Sequence, residues 1–290
     1  MFFDLHAHVY KYQYPSGNGE SLFIGPEQLV RRHDALGIKK AVLLPIVSPE
    51  VYVPQSVGEV IEIADRSNGR FIPFCNIDPR VLTNTSDAPL GNLLEHYRAL
   101  GCRGIGEVMP NMELDHPKMR NLFRHVQEIG FPLIFDLTGN PGTGYGLYDE
   151  PGLPRLESCL NEFPKLLFIG HGPAFWAEIS RLAAEEDRFG YPGYPVEKQG
   201  RTVALLREYP NLHAELSARS GANALMRDRD HASSFLEEFR DKLYFGTDIC
   251  TDDQPALSLD FLMKMKAEEK IREETFHRIA AGNALNLFGL

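Results

Sequence analysis

The chain has 290 residues, 43% hydrophobic and 24% charged, a make-up that excludes intrinsic disorder as its main state. Thirty Lys and Arg against forty Asp and Glu leave a formal charge of −10, a field that repels nucleic acid and anionic membranes. Four dispersed cysteines without CxxC spacing argue against a disulfide framework or zinc ribbon. No apolar run reaches the roughly 18 residues of a membrane span, and Met1-Phe2-Phe3-Asp4 has no basic leader, so the cytoplasm is the expected location.

Short apolar runs alternate with helix-period stretches along the chain. Strands are expected at Phe2–Leu5, Lys40–Leu44, Arg70–Asn76, Arg103–Val108, Pro132–Leu137, Leu166–Gly170, Asn211–Leu216 and Lys242–Thr247. Between and after them the pattern predicts helices at Pro26–Leu36, Val57–Ser67, Leu90–Leu100, His116–Ile129, Leu153–Phe163, Phe175–Arg188, Pro195–Tyr209, Ala232–Arg240, Leu257–Glu268 and Arg272–Asn283. Eight strand–helix alternations without a dividing linker favour one (β/α)8 TIM barrel domain over 1–290, ahead of an open doubly wound sheet. Inserted loops are expected at Val9–Gly25, Asn140–Gly152 and Gly190–Pro195.

Chemistry concentrates at strand ends. His6 and His8, two apart on the first strand, project together, and paired imidazoles suit zinc and similar divalent ions. Glu107, Asp136, His171 and Asp248 each close another apolar strand, where active sites of this architecture lie. A carboxylate in such a place is also an ordinary helix cap; four polar groups in corresponding places beside an HxH point instead to one shared centre.

HxH on the first strand, His171 in Ile-Gly-His-Gly on the sixth and Asp248 in Phe-Gly-Thr-Asp on the eighth resemble the amidohydrolase superfamily. Gly282-Asn283-Ala284-Leu285-Asn286-Leu287-Phe288-Gly289-Leu290, with Asn76-Ile77-Asp78-Pro79 after the third strand, resembles its amidohydrolase-2 branch, which includes aminocarboxymuconate semialdehyde decarboxylase and related lactonases and hydratases. The resemblance runs from residue 2 to 290. It implies that His6, His8 and Asp248 are metal ligands, that Asp248 also accepts a proton from metal-activated water or substrate, and that His171 polarises the substrate or binds a second ion.

Two positions depart from the family pattern. Asp136 stands where histidine is usual. As an oxygen ligand it would favour manganese or magnesium over zinc; alternatively it orients a neighbouring histidine from outside the ligand set. Glu107 stands where binuclear relatives carry a bridging group; bridging two ions, binding one, or pairing with an arginine such as Arg103 are its three readings. One ion, zinc, is expected.

Among lesser candidates, Arg80 and Arg219 are placed to meet a substrate carboxylate, and Phe175-Trp176 to form an apolar substrate wall. His213, Glu215 and Ser217 share a face of the seventh strand, where core packing or a cap is expected. His33, His96, His116, His125, His231 and His277 are expected at the surface. Asn140–Gly146 reads as a lid ahead of a phosphate cradle. GxSxG is absent. The resulting expectation is a metal-dependent hydrolase of a small ester, lactone or amide. A non-oxidative decarboxylase or hydratase of a small carboxylic acid is the alternative, and a non-catalytic binding barrel a minor one. The expected partner is a small molecule, with no nucleic acid or membrane, and a homo-oligomer is left open.

Overall fold

The computed structural model describes residues 1–15, 21–51, 53–138, 142 and 144–290. Eight barrel strands succeed one another, with a short antiparallel pair, Tyr14–Pro15 and Ser21–Leu22, inserted after the first: β1 (Phe2–Ala7), β2 (Ile38–Leu43), β3 (Phe71–Pro73), β4 (Ile105–Val108), β5 (Leu133–Asp136), β6 (Phe168–His171), β7 (Leu212–Glu215) and β8 (Leu243–Tyr244). Most are buried throughout rather than alternating, as strands covered on both faces are. Every pairing among them is parallel, in the orders β1-β2-β3 and β4-β5-β6-β7-β8.

The two ladders are not one continuous sheet, but hydrogen bonds join them at both seams. Cys75 N donates to Gly104 O and Gly106 N to Cys75 O, each at 3.0 Å; on the other side Leu5 N donates to Phe245 O at 2.9 Å and Asp248 N to His6 O at 2.8 Å. With helices following the strands, the fold is the expected (β/α)8 barrel. All eight expected strands are present, with displaced ends.

The helices are α1 (Pro26–Leu36), α2 (Val57–Asp65), α3 (Leu90–Ala99), α4 (Pro117–Ile129), α5 (Pro154–Glu162), α6 (Pro173–Ala177), α7 (Arg201–Glu208), α8 (Ala218–Met226), α9 (Arg229–Glu238), α10 (Leu257–Ala267), α11 (Glu273–His277) and α12 (Asn283–Phe288). Three depart from expectation. The helix expected over Phe175–Arg188 stops at Ala177, because the chain beyond it pairs elsewhere: Gly200 N donates to Ile179 O and Arg181 N to Lys198 O, both at 2.9 Å. A single 3-10 turn, Glu185–Phe189, is what remains of its second half, and α7 begins at Arg201 rather than Pro195. Helix α8 was not expected. Its Gly221 lies so close to β7's continuation that a Cβ would stand 2.6 Å from the Leu216 carbonyl carbon. That close packing requires a residue with poor helix propensity, which hides the helix in the sequence.

Phe3, Leu5, Val42, Phe74, Ile134, Ile169 and Tyr244 fill the barrel interior. Helix α12 plugs its N-terminal end: Phe288 stacks on Phe3 at 5.7 Å and meets Phe74 edge-on at 6.0 Å. Arg103 belongs to this plug. Its guanidinium lies over the Phe288 ring and Nη2 donates to Phe288 O at 2.8 Å, so the expected alternative of a pair with Glu107 does not form. Asn283 Nδ2 ties the same helix to Arg240 O and Leu243 O, at 2.6 and 2.7 Å. Among the described residues, no helix is long and apolar enough to cross a membrane.

Interior packing leaves no room at Gly104, where a methyl would sit 2.2 Å from Cζ of the fully buried Phe74. Gly104→Ala is therefore expected to destabilise the fold by about 1–3 kcal/mol. An unchanged denaturant midpoint would contradict this packing.

Candidate metal centre

The strand ends bring seven ionisable side chains to the C-terminal mouth. His6 comes from β1 and His8 from just past its end, Glu107 from β4, Asp136 from β5, His171 from β6 and Glu215 from β7, all buried; Asp248 follows β8 with its side chain 24% exposed. Strict alternation from the inward Phe3 and Leu5 would turn His6 outward. The β1–β2 register slips between Asp4 and Ala7, and that irregularity re-aims His6 and His8 into the mouth. Asp4, fully buried, locks the bend: Oδ1 accepts from His6 N at 3.0 Å and Thr247 N at 2.9 Å, and Oδ2 from Thr247 Oγ1 at 2.5 Å. His33 is not at the surface as expected; it is fully buried, with Nε2 3.3 Å from Asp4 Oδ2.

Hydrogen bonds fix which nitrogen each imidazole presents. His8 Nδ1 donates to Leu44 O at 2.9 Å, and His6 Nδ1 to Glu215 Oε1 at 3.2 Å. Both Nε2 atoms then turn toward each other, 3.1 Å apart. Two lone pairs facing at that distance require a proton or a metal ion between them. The same two atoms lie 3.4 Å each from Glu107 Oε2, and 3.5 and 3.3 Å from Asp248 Oδ1. A tetrahedron with bonds of about 2.0–2.1 Å has edges of about 3.3–3.4 Å. Five of the six edges of such a tetrahedron are near that length, so His6, His8 and Asp248 form a trio that could hold a divalent cation, with Glu107 in reach of both imidazoles and also beside Asp136 and His171.

A family model described as Amidohydrolase matches residues 4–290. The chain belongs to the amidohydrolase-2 family. No protein of curated function matches this chain significantly. Among solved structures, an amidohydrolase from Burkholderia multivorans with bound zinc is similar with a TM-score of 0.62 at 14% identity, covering 100% of this chain and 99% of that one. For 2,6-dihydroxybenzoate decarboxylase complexed with 2,6-dihydroxybenzoate the TM-score is 0.61 at 17% identity, over 100% and 99%. A probable 2-pyrone-4,6-dicarboxylic acid hydrolase from Acinetobacter baumannii with citric acid bound gives 0.58 at 15%, over 100% and 99%. At these identities the likeness speaks to fold.

Glu215 is the residue that sequence reasoning undervalued. Its Oε1 accepts from His6 Nδ1, from His171 Nδ1 in a very short contact, and from Ser217 Oγ at 2.9 Å, while Oε2 accepts from Ser217 N at 2.8 Å. Gly246 makes room, since a Cβ there would stand 2.5 Å from Oε2. Glu215 orients His6 and His171 from outside the ligand set, while Asp136 lies beside Glu107 and His171. The available signal was position: Glu215 ends its strand as Glu107 and Asp136 end theirs. His213 stays apart, with Nδ1 bonded to Tyr244 OH at 3.0 Å and its pKa lowered to about 4 by burial and Lys242.

The electrostatics favour added positive charge. Burial pulls the His6 pKa down, but Glu107, Glu215 and Asp248 outweigh it and hold it well above its usual value. Burial likewise opposes His8, which hydrogen bonding to Asp248 and Glu107 raises to about 9. Burial opposes His171 too, and the Glu215 charge raises it to about 9. Burial pushes Glu107 and Glu215 up, yet the histidines hold both well below the carboxylate range. Asp136, beside Glu107 and His171, is pushed up to about 7 by burial and the Glu107 charge, and accepts from Thr138 Oγ1.

A cavity of about 240 Å³ opens above this cluster. Three expected substrate contacts do not line it. Trp176 is 1% exposed, packed between Phe175 and Phe235 in the outer core. Arg80 is held twice over, by both oxygens of Glu50 at 2.6 and 2.9 Å and both of Asp78 at 2.7 and 2.6 Å. Arg219 is exposed, with its guanidinium 4.7 Å from the Tyr191 ring centre. The lid expected over Asn140–Gly146 falls partly outside the described residues; within it, Tyr145 lines the cavity.

Glu215→Gln removes the acceptor charge that holds His6 and His171 in orientation. Zinc affinity, by competition with a chromophoric chelator, is expected to fall roughly 10–100-fold, with the folded circular dichroism spectrum retained. Because protons compete for the same imidazole nitrogens, wild-type affinity should also weaken from pH 8 to pH 6. Wild-type affinity in the Gln variant would contradict the orienting role.

Proposed function

We propose that this amidohydrolase is a metal-dependent hydrolase acting on a small ester, lactone or amide. The observation that supports it is the convergence of two imidazole nitrogens and two carboxylate oxygens, from His6, His8, Glu107 and Asp248, at the base of a cavity. One ion, held by the cluster in which the two imidazole Nε2 atoms face each other, is the reading we adopt, and zinc is the metal that two nitrogen donors suit; the bound zinc of the Burkholderia multivorans structure is consistent with it. Asp136, whose oxygen would argue for manganese or magnesium, lies on the His171 side of Glu107 rather than among the four. When bound, a divalent ion polarises an acyl oxygen and lowers the pKa of water toward about 7.

The chain's own groups divide the remaining work. Asp248 is the most exposed donor of the four, which suits it to take a proton from the attacking water and pass it to the leaving group. The C–O or C–N bond breaks as the water oxygen bonds the acyl carbon, and the leaving group departs with the proton. His171, with Nδ1 anchored on Glu215 and Nε2 3.5 Å from Glu107 Oε1, lines the cavity and donates to the acyl oxygen. A second reading, non-oxidative decarboxylation, draws on the similarity to 2,6-dihydroxybenzoate decarboxylase; carbon dioxide release separates it from hydrolysis.

Replacing His6 and His8 together with Ala is expected to abolish stoichiometric zinc retention, read by mass spectrometry. Asp248→Asn should keep most of the bound zinc while ester turnover drops by roughly 10²–10⁴-fold. Full activity in the Asn variant would remove Asp248 from the proposal.

A further inference from the structure

Resting on the hydrolase reading, we infer that the substrate is uncharged: an ester, lactone or amide with an apolar or aromatic body and no carboxylate. The cavity wall away from the donor cluster is built from Phe23, Ile46, Val51, Met109, Tyr145 and Tyr191, and no lysine or arginine lines it among the described residues. The sequence makes that absence systematic. The segments after β2, β4, β5 and β8, residues 44–56, 109–116, 137–153 and 245–256, contain no Lys or Arg at all. None of residues 16–20, 52, 139–141 and 143 is Lys or Arg either.

The cations that the other mouth segments do carry are engaged or turned away. Lys11 pairs with Glu62 at 3.1 Å, and Arg80 is enclosed by Glu50 and Asp78. Arg188 is buried against Glu178 at 3.0 Å, and Arg227 donates to Ser180 Oγ at 2.7 Å. Arg181 and Lys198 are exposed and line no part of the cavity, and the exposed Arg219 stacks on Tyr191 at the rim without itself lining the cavity. Glu107, Asp136 and Asp248 line the cavity floor with His8 and His171, and Glu215 lies buried behind the histidines. A substrate carboxylate remote from the scissile bond would meet these carboxylates with no lysine or arginine lining the cavity to pair with it, an unfavourable placement in a desolvated site. The aromatic walls instead reward a ring: Tyr145 and Tyr191 stand at the rim, and Phe23 packs within.

Two matched probes separate charge from chemistry. Zinc-loaded protein is given phenyl acetate or 4-acetoxybenzoate, with each kcat/KM normalised to the ester's hydroxide-catalysed rate. In parallel, calorimetry measures binding of acetanilide and 4-acetamidobenzoate. The neutral member of each pair is expected to be preferred by at least ~10-fold. Met109→Arg, which places a cation on the wall, is expected to reverse both preferences; Tyr145→Arg at the exposed rim serves if the first variant fails to fold. Preferential binding of 4-acetamidobenzoate by the wild type, or binding of neither probe, would overturn the inference. Binding of the neutral probe without turnover of either ester would instead count against the hydrolase reading and leave the charge preference standing.

Discussion

One buried carboxylate, Glu215, sits between two imidazoles and decides which face of each the mouth presents. By accepting the Nδ1 protons of His6 and His171 it turns both Nε2 atoms toward the cavity. His8 receives the same treatment from the Leu44 carbonyl. Imidazoles with their other nitrogen committed in this way are stiff and basic, the usual condition for binding a metal ion well. Gly246 and Ser217 exist in service of that carboxylate, one by leaving space and the other by supplying two donors.

Burying this many charges would be strongly unfavourable without compensation. Part of it is internal: the histidines stabilise Glu107 and Glu215 as anions, and those anions stabilise charge on the histidines. Backbone anchors supply more. Asp4 ties the His6 and Thr247 amides together across the β1–β8 seam, and Asn76 Nδ2 donates to Pro45 O at 2.8 Å and Glu107 O at 2.5 Å. These bonds hold the strand ends at spacings that suit a metal ion. The balance of charge still favours a cation in the cluster, and the wall above it is apolar.

Much of this was legible in the sequence because chemistry sits at the ends of apolar runs. HxH, Glu107, His171 and Asp248 each follow a strand whose buried character is plain in its residues, and the ordered set resembles one family. Glu215 was legible as the end of a strand but not as a hub, because its importance lies in contacts with residues 209 and 44 positions away. His33 reads as a surface residue on an amphipathic helix, and only the packing of α1 on β1 reveals its carboxylate partner. Arg80 and Arg219 stand at the right sequence positions for a substrate carboxylate; what removes them is their neighbours, which no spacing encodes. The chain after Ala177 was misread for a related reason, since pairing between Ile179–Arg181 and Lys198–Gly200 overrides a local helical preference.

The most direct test of the centre is X-ray absorption on protein loaded with one equivalent of zinc. The account predicts four nitrogen or oxygen ligands at about 2.0–2.2 Å, two of them imidazoles by their multiple-scattering signature. A sulfur at about 2.3 Å, contributed by the neighbouring Cys250, or a shell without imidazole would contradict it.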